Sequence, residues 1–195
     1  MCQIEAKRMF KMRVIAGSKK GHALKAVPGK STRPTTDKIK ESLFSIIGPF
    51  FDGEKVLDLF AGSGGLGIES LSRGAGEAVF IDQASVAIKT IKENLTACHL
   101  ENQASVYRND AMRALKILQK NEAVFDLVFL DPPYKKQQLE KILLFLDGAG
   151  LVADGARVVC EYEKGDFLPD VCGRFKKIKE AHYGITVLSI FEFEG

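Results

Sequence analysis

From residue 55 to residue 162, short apolar runs and longer amphipathic stretches take turns, and this alternation limits the fold more than any other feature of the chain. Lys55–Phe60, Ala78–Asp82, Ala104–Arg108, Phe125–Leu130 and Ala156–Tyr162 read as strands. Gly64–Ser72, Ser85–Cys98, Ala111–Gln119 and Gln137–Leu146 read as the helices between them, with Val86, Ile88, Ile91 and Leu95 as the apolar positions of the second. Asp154-Gly155 reads as a turn ahead of the last strand. Strands separated by helices pair in parallel through right-handed crossovers, with helices on both faces of the sheet. The pattern then changes. Phe175–Tyr183 and Ile185–Phe193 flank Gly184 as two long strands around a tight turn, which predicts an antiparallel hairpin on the edge of that sheet.

The N-terminal part is built differently. Residues 1–11 read as a loose extension. Val14-Ile15-Ala16 and Ala23–Val27, separated by Gly17-Ser18-Lys19-Lys20-Gly21, read as a hairpin with a basic turn. Pro28–Pro34 reads as a loop. Thr35-Thr36-Asp37 supplies N-cap residues for a helix whose apolar face is Ile39, Leu43, Phe44, Ile46 and Ile47, and Gly48-Pro49 ends it. The expected division is therefore residues 1–11, a hairpin-and-helix unit at 12–48, and an α/β domain at 49–195.

Charge follows the same division. Residues 1–40 hold 11 Lys and Arg against 2 acids, whereas the remaining 155 residues hold 17 against 23. A basic arm on a mildly acidic body is the footprint of a polyanion-binding segment, with a solvated, solubilising arm as the plainer alternative. Arg13, Lys19, Lys20, Lys25, Lys30, Arg33 and Lys38 are its candidate contacts, and each alone would meet phosphate rather than read a base. Four scattered cysteines, at 2, 98, 160 and 172, form no CxxC pair and have no partnering His cluster. Reduced thiols and no metal are expected. No apolar run approaches the roughly 20 residues that span a bilayer, and the first residues carry no apolar signal core, so a cytoplasmic protein is expected.

The candidate chemistry lies at the ends of the strands. Val56–Phe60 runs into Ala61-Gly62-Ser63-Gly64-Gly65-Leu66-Gly67, where Gly62, Gly64 and Gly67 fit G-x-G-x-x-G. That pattern alone fits a dinucleotide site or merely a tight strand–helix turn. Asp58 changes the reading, because a carboxylate beside the helix N-terminus repels a pyrophosphate and attracts an ammonium. S-adenosylmethionine carries an ammonium and a sulfonium and no phosphate. Asp82 closes the second strand, placed to accept from ribose hydroxyls, and Asp110 follows the third, placed to accept from an adenine amine. Each acid alone also suits a helix N-cap.

Asp131-Pro132-Pro133-Tyr134 follows the fourth strand. Two prolines remove two backbone donors, so the loop presents acceptors beside an aromatic ring, a surface suited to a planar –NH2 group. Such an amine is a poor nucleophile while its lone pair is delocalised. Acceptors on both hydrogens, from Asp131 and the Pro132 carbonyl, draw the nitrogen toward sp3, and Tyr134 would stack on the ring. In-line transfer then needs the reacting atoms within about 3–3.5 Å.

With Met12–Gly17, Lys20-Gly21, Thr32–Asp37, Lys40–Phe44, Leu57–Gly64 and Asp131–Tyr134 in view, the chain resembles the Rossmann-like S-adenosylmethionine-dependent methyltransferases. Within them it is similar to the bacterial 16S ribosomal RNA (guanine-N2) methyltransferase family acting at guanine 966, over residues 12–193. The resemblance implies an α/β, mostly parallel seven-stranded sheet of order 3-2-1-4-5-7-6. It implies that Asp58, Ala61, Gly62 and Gly64 hold the methionine part of the cofactor, Asp82 and Gln83 the ribose, and Asp110 and Ala111 the adenine end. It implies that Asp131, Pro132 and Tyr134 hold the guanine and that the hairpin and Arg33 meet RNA. The expected partner is 16S rRNA or a 30S particle, and the expected state a monomer. Residues 1–11 precede the family's usual start, Ala84 replaces a frequent acid, and the chain has no tryptophan. Alternatives on the same amine chemistry are DNA adenine-N6 and protein glutamine methyltransferases; a ribosome-assembly factor is the non-enzymatic one.

Overall fold

The computed structural model describes residues 12–28, 37–132 and 136–195, with Lys136 and Gln137 described by backbone alone. Strands β1 (Met12–Arg13) and β2 (Ala23–Leu24) form a small antiparallel ladder, Met12 opposite Leu24 and Arg13 opposite Ala23. Helix α1 (Asp37–Ile47) follows. Then β3 (Lys55–Asp58), α2 (Gly65–Ser72), β4 (Glu77–Asp82), α3 (Ser85–Cys98), β5 (Ala104–Arg108), α4 (Ala111–Lys120), β6 (Phe125–Leu130), α5 (Lys136–Ala149) and β7 (Val152–Glu163) alternate. The chain finishes with β8 (Val171–Cys172), β9 (Phe175–Tyr183) and β10 (Thr186–Phe193).

Strands β3 to β10 make one sheet of order β5-β4-β3-β6-β7-β10-β9-β8. Strands β3 to β7 run parallel, and β10 pairs antiparallel with both β7 and β9. The seven long strands take the 3-2-1-4-5-7-6 arrangement. The count is corrected to eight among the described residues, because β8 adds Val171 and Cys172 beside Lys176 and Phe175 at the outer edge. Two residues are too few to display a period. Asp154-Gly155 is a second correction. It is not a turn ahead of a strand but an irregularity inside β7, where Val152 pairs with Phe125 and the register resumes at Arg157 opposite Leu127. Gly155 takes φ +74° there, which lets the strand begin four residues earlier than its apolar run.

Each sheet face has its own core. One contains Leu57, Leu115, Val128, Leu130, Leu139, Ile142 and Cys160, under α4 and α5. The other contains Leu43, Phe44, Val56, Ile68, Phe80, Ile91, Phe129 and Val159, under α1, α2 and α3. Burial on both sides explains why β6 is apolar at nearly every position. The hairpin lies along α2. Met12 reaches the start of that helix at Gly65, while Ser18 N–H donates to Ser72 O at its end, 2.7 Å. Gly17, at φ +84°, makes this approach possible: a Cβ there would stand 1.8 Å from the Ser72 carbonyl oxygen. No described helix is long and apolar enough to cross a membrane.

Candidate active site

From β3 the chain winds outward through β4 and β5, then returns to add β6 on the other side of β3. The crevice above the carboxyl ends of β3 and β6 is therefore the switch point at which open α/β sheets take ligands. Asp58 ends β3 opposite Phe129 of β6, and Asp131 follows β6 by one residue.

The turn leaving β3 is glycine-rich for two reasons. Gly62 and Gly64 sit at φ +55° and +79°, and the second is the N-cap of α2. Gly67 packs its bare Cα against the Phe80 ring, where a Cβ would come within 2.3 Å of Cε1. Space at Gly62 is open, with only Phe60 O at 3.9 Å from a notional Cβ, so this part of the loop can lie against a ligand. Ala61, buried in the turn, donates its N–H to Ile81 O at 2.9 Å and ties the loop to β4.

Asp58 is 4% exposed, and its Oδ2 accepts from Gly67 N–H at 3.2 Å. Burial pushes its carboxyl up to about 7; the Gly67 amide pulls the other way, and the charges of Asp131 and Asp82 add to the rise. A buried carboxyl kept from ionising by burial and by like charges suits a cationic group. A ligand carrying an ammonium fits these residues; one carrying phosphate does not. Asp82 accepts from Gly62 N–H at 3.0 Å and from Ala84 N–H at 2.8 Å, so it links the glycine turn to the end of β4. Its two oxygens still have lone pairs for two ligand hydroxyls. Gln83 accepts Arg108 Nε–H on its carbonyl, 3.1 Å. Asp110 is the N-cap of α4, its side chain accepting from Arg113 N–H at 3.1 Å, and Ala111 is buried behind it.

Asp131 is exposed and Pro132 buried at the same edge. Tyr134 and Pro133 lie outside the described residues. The structure adds a fifth carboxyl that sequence reasoning misses: Glu161 of β7. Leu130 pairs with Cys160, so Asp131 and Glu161 follow as the next neighbours across the β6–β7 seam. Burial first, then the charge of Asp131, holds Glu161 above the ordinary carboxylate range. A signal exists, because Glu161 lies near a strand end like the other acids, but it falls inside the apolar run and reads as part of the strand.

The basic candidates separate. Arg13 Nε donates to Asp37 Oδ2 at 2.8 Å, and Lys38 is exposed on the next residue, so both lie where α1 begins. Lys19 and Lys20 sit in the hairpin turn against the end of α2, the opposite edge of the sheet. Lys25 pairs with Glu93 at 2.8 Å on the flank. Lys30 and Arg33 lie outside the described residues. An open cleft of ≈ 650 Å³, lined by Ser18, Phe50, Arg73 and Gln103 among others, also lies at that opposite edge, away from the acids.

A buried ionic group, unforeseen in the sequence, joins hairpin, α1 and α2. Glu69 is fully buried and accepts from Ile15 N–H at 2.8 Å, Ala16 N–H at 3.0 Å and Arg73 Nε at 2.8 Å. Lys40, on the inner face of α1, lies 3.4 Å from Glu69 and donates to Arg13 O at 2.7 Å. Arg73 also lies over the Phe44 ring, 4.5 Å from its centroid. Desolvation draws the Lys40 ammonium below its ordinary value, with Glu69 opposing. Among the described residues no group of His, Cys, Asp and Glu is arranged to hold a metal ion.

Known proteins resemble this chain in sequence and fold. The profile of the family described as "Conserved hypothetical protein 95" matches residues 12–192. A Bacillus subtilis (strain 168) protein named "Putative rRNA methyltransferase YlbH" is 50% identical, covering 94% of this chain and 100% of that one. "Ribosomal RNA small subunit methyltransferase D" of Escherichia coli (strain K12) is 31% identical, over 94% and 91%. The solved structure of "Putative methyltransferase yhhF" from Escherichia coli superposes with a TM-score of 0.82 at 31% identity, covering 94% of this chain and 98% of that one. The chain belongs to the conserved hypothetical protein 95 family and has the Rossmann-like methyltransferase fold.

Proposed function

We propose that this chain is an S-adenosylmethionine-dependent rRNA methyltransferase that modifies the exocyclic N2 amine of a guanine in 16S rRNA, guanine 966. The observation that carries the reading is the placement of Asp131-Pro132 directly across the β3–β6 crevice from the glycine turn and buried Asp58. The family relatives named as rRNA methyltransferases support the substrate class. Asp58, with the turn from Ala61 to Gly64, receives the ammonium end of the cofactor. Asp82 and Gln83 take the ribose, and Asp110 and Ala111 the adenine. Bound S-adenosylmethionine supplies a methyl activated by its sulfonium.

The chain's own residues prepare the amine. The Asp131 carboxylate and the Pro132 carbonyl accept its two hydrogens, which frees the lone pair from the ring. Asp131 then takes the proton that the methylated nitrogen sheds. Tyr134 stacks on the base. The target guanine leaves its stack to reach this depth, at a cost of a few kcal/mol. The hairpin and α1 carry cations that meet the RNA backbone, Arg13, Lys19, Lys20 and Lys38, and Arg33 joins them in that role. The protein acts in the cytoplasm as a monomer on 16S rRNA or the 30S particle.

Transfer of radiolabelled methyl to 30S particles lacking the modification, with nucleoside analysis of the product, tests this. Label in N2-methylguanosine is expected; label in another nucleoside, or none with cofactor bound, would remove the guanine assignment. Asp131→Ala should lower turnover by about 10²–10⁴-fold, the range for a lost proton acceptor, while cofactor affinity stays unchanged.

A further inference from the structure

We propose that Glu161 is the residue that reads guanine in this site, accepting the base's N1–H beside the N2 amine held by Asp131. The inference rests on the methyl-transfer reading above and adds a specificity group to it. Its basis is register. Leu130 and Cys160 are paired neighbours in β6 and β7, so Asp131 and Glu161 stand side by side one residue on. Phe129 and Val159 belong to the core under α1, α2 and α3, and Leu130 and Cys160 to the opposite core. Side chains alternate along a strand, so Glu161 returns to the first face, the one Asp58 also takes after Leu57, and the charge of Asp131 acts on both. Across from Glu161 on β10 stands Leu188, buried and apolar.

Glu161 therefore sits between an apolar neighbour and an acidic one. Among the described residues the one charge acting on it is that of Asp131, and that charge is repulsive. Two carboxyls placed together at a strand end raise each other's cost of ionising. That cost is returned when a group with adjacent donors enters. Guanine has such a pair, N1–H and N2–H, next to each other on its Watson–Crick edge, and flipped bases are read on that edge. Adenine places a bare acceptor at N1, whose lone pair would face the Glu161 carboxylate. Ionised, the same two acids accept from guanine and oppose adenine, whereas a protonated Glu161 would donate to adenine N1; the separation of the leading substrate from the DNA adenine alternative therefore sharpens as pH rises and Glu161 loses its proton.

The test uses 16S rRNA reconstituted into 30S particles with either guanine or 2-aminopurine at the position the wild type methylates. 2-Aminopurine keeps the N2 amine but carries an acceptor at N1 instead of a hydrogen. Wild-type kcat/KM should favour guanine by about 10- to 100-fold, the worth of one hydrogen bond to a charged partner. Glu161→Gln offers both an acceptor and a donor, so the guanine to 2-aminopurine ratio should fall toward one, with S-adenosylmethionine affinity unchanged. A variant that loses activity on both bases equally, or keeps the wild-type ratio, would overturn the proposal and leave the methyltransferase reading standing. A wild type that methylates neither base would overturn that reading and this proposal with it.

Discussion

Asp58 shows how the fold sets the ionisation of a single side chain. Its carboxyl is pushed up to about 7 from an ordinary 3.8, so the folded chain holds this proton more tightly than the unfolded chain does. Between those values the folded state carries more protons, and stability falls as pH rises; above about 7 the loss is complete. The loss is on the order of 4 kcal/mol. A ligand ammonium beside the carboxylate offsets it. S-adenosylmethionine affinity should therefore climb as pH rises toward about 7 and level off above it, a dependence that calorimetric titration between about pH 5 and pH 9 reads out. Asp58→Asn should bind weakly with no such slope, and its cofactor-free form should melt higher than wild type above pH 7. A slope that persists in the variant would take Asp58 out of the cofactor site.

At the scale of elements, the Glu69 group decides where the basic hairpin sits. Its carboxylate holds two backbone amides of the hairpin, Ile15 and Ala16, and faces cations from α1 and from its own helix. The hairpin has a ladder of only two residue pairs, too short to stand alone. Neutralising Glu69 leaves Lys40 and Arg73 buried without their counter-charge, a change that costs about 3–5 kcal/mol. Glu69→Gln should accordingly shift the urea midpoint downward, and hydrogen exchange at Ile15 and Ala16 should quicken more than in β3 or β6. Equal exchange in hairpin and sheet would mean that Glu69 supports the core generally and not the hairpin.

At the scale of the molecule, the cations on the described N-terminal segment fall at both edges of the sheet. Lys38 lies near the edge of the acids, while Lys19 and Lys20 lie at the other end of α2, which is about 12 Å long at 1.5 Å per residue. An RNA that touches both must run along the hairpin face. Replacing Lys38 alone by Ala, or Lys19 and Lys20 together, should weaken binding of a 16S rRNA fragment. It should also reduce the slope of log affinity against log salt by about one for each phosphate that the variant no longer neutralises. Fluorescence anisotropy at several salt concentrations measures this; an unchanged slope for the Lys19 and Lys20 pair would confine the RNA to the edge near Lys38.

Much of this was legible in the chain because it is local. Apolar runs of five or six residues, glycines at fixed offsets and an acid after each strand report on backbone periods and turns, which neighbouring residues impose by themselves. From these come the alternation from β3 to β7, the final hairpin, and the placing of Asp58, Asp82, Asp110 and Asp131 on one edge. What depends on distant partners was not legible. The two-residue β8 exists only because Phe175 and Lys176 are there to pair with it. Asp154-Gly155 reads as a turn until β6 draws β7 past it. Lys40 and Glu69, 29 residues apart, look like ordinary surface charges until α1 and α2 bury them against each other. Glu161 becomes a partner of Asp131 only through a register that no single segment contains. The sequence by itself determined the elements and the edge on which the acids gather. The tertiary structure alone decided which charges are buried and which acids meet, because burial and pairing are properties of contacts between segments.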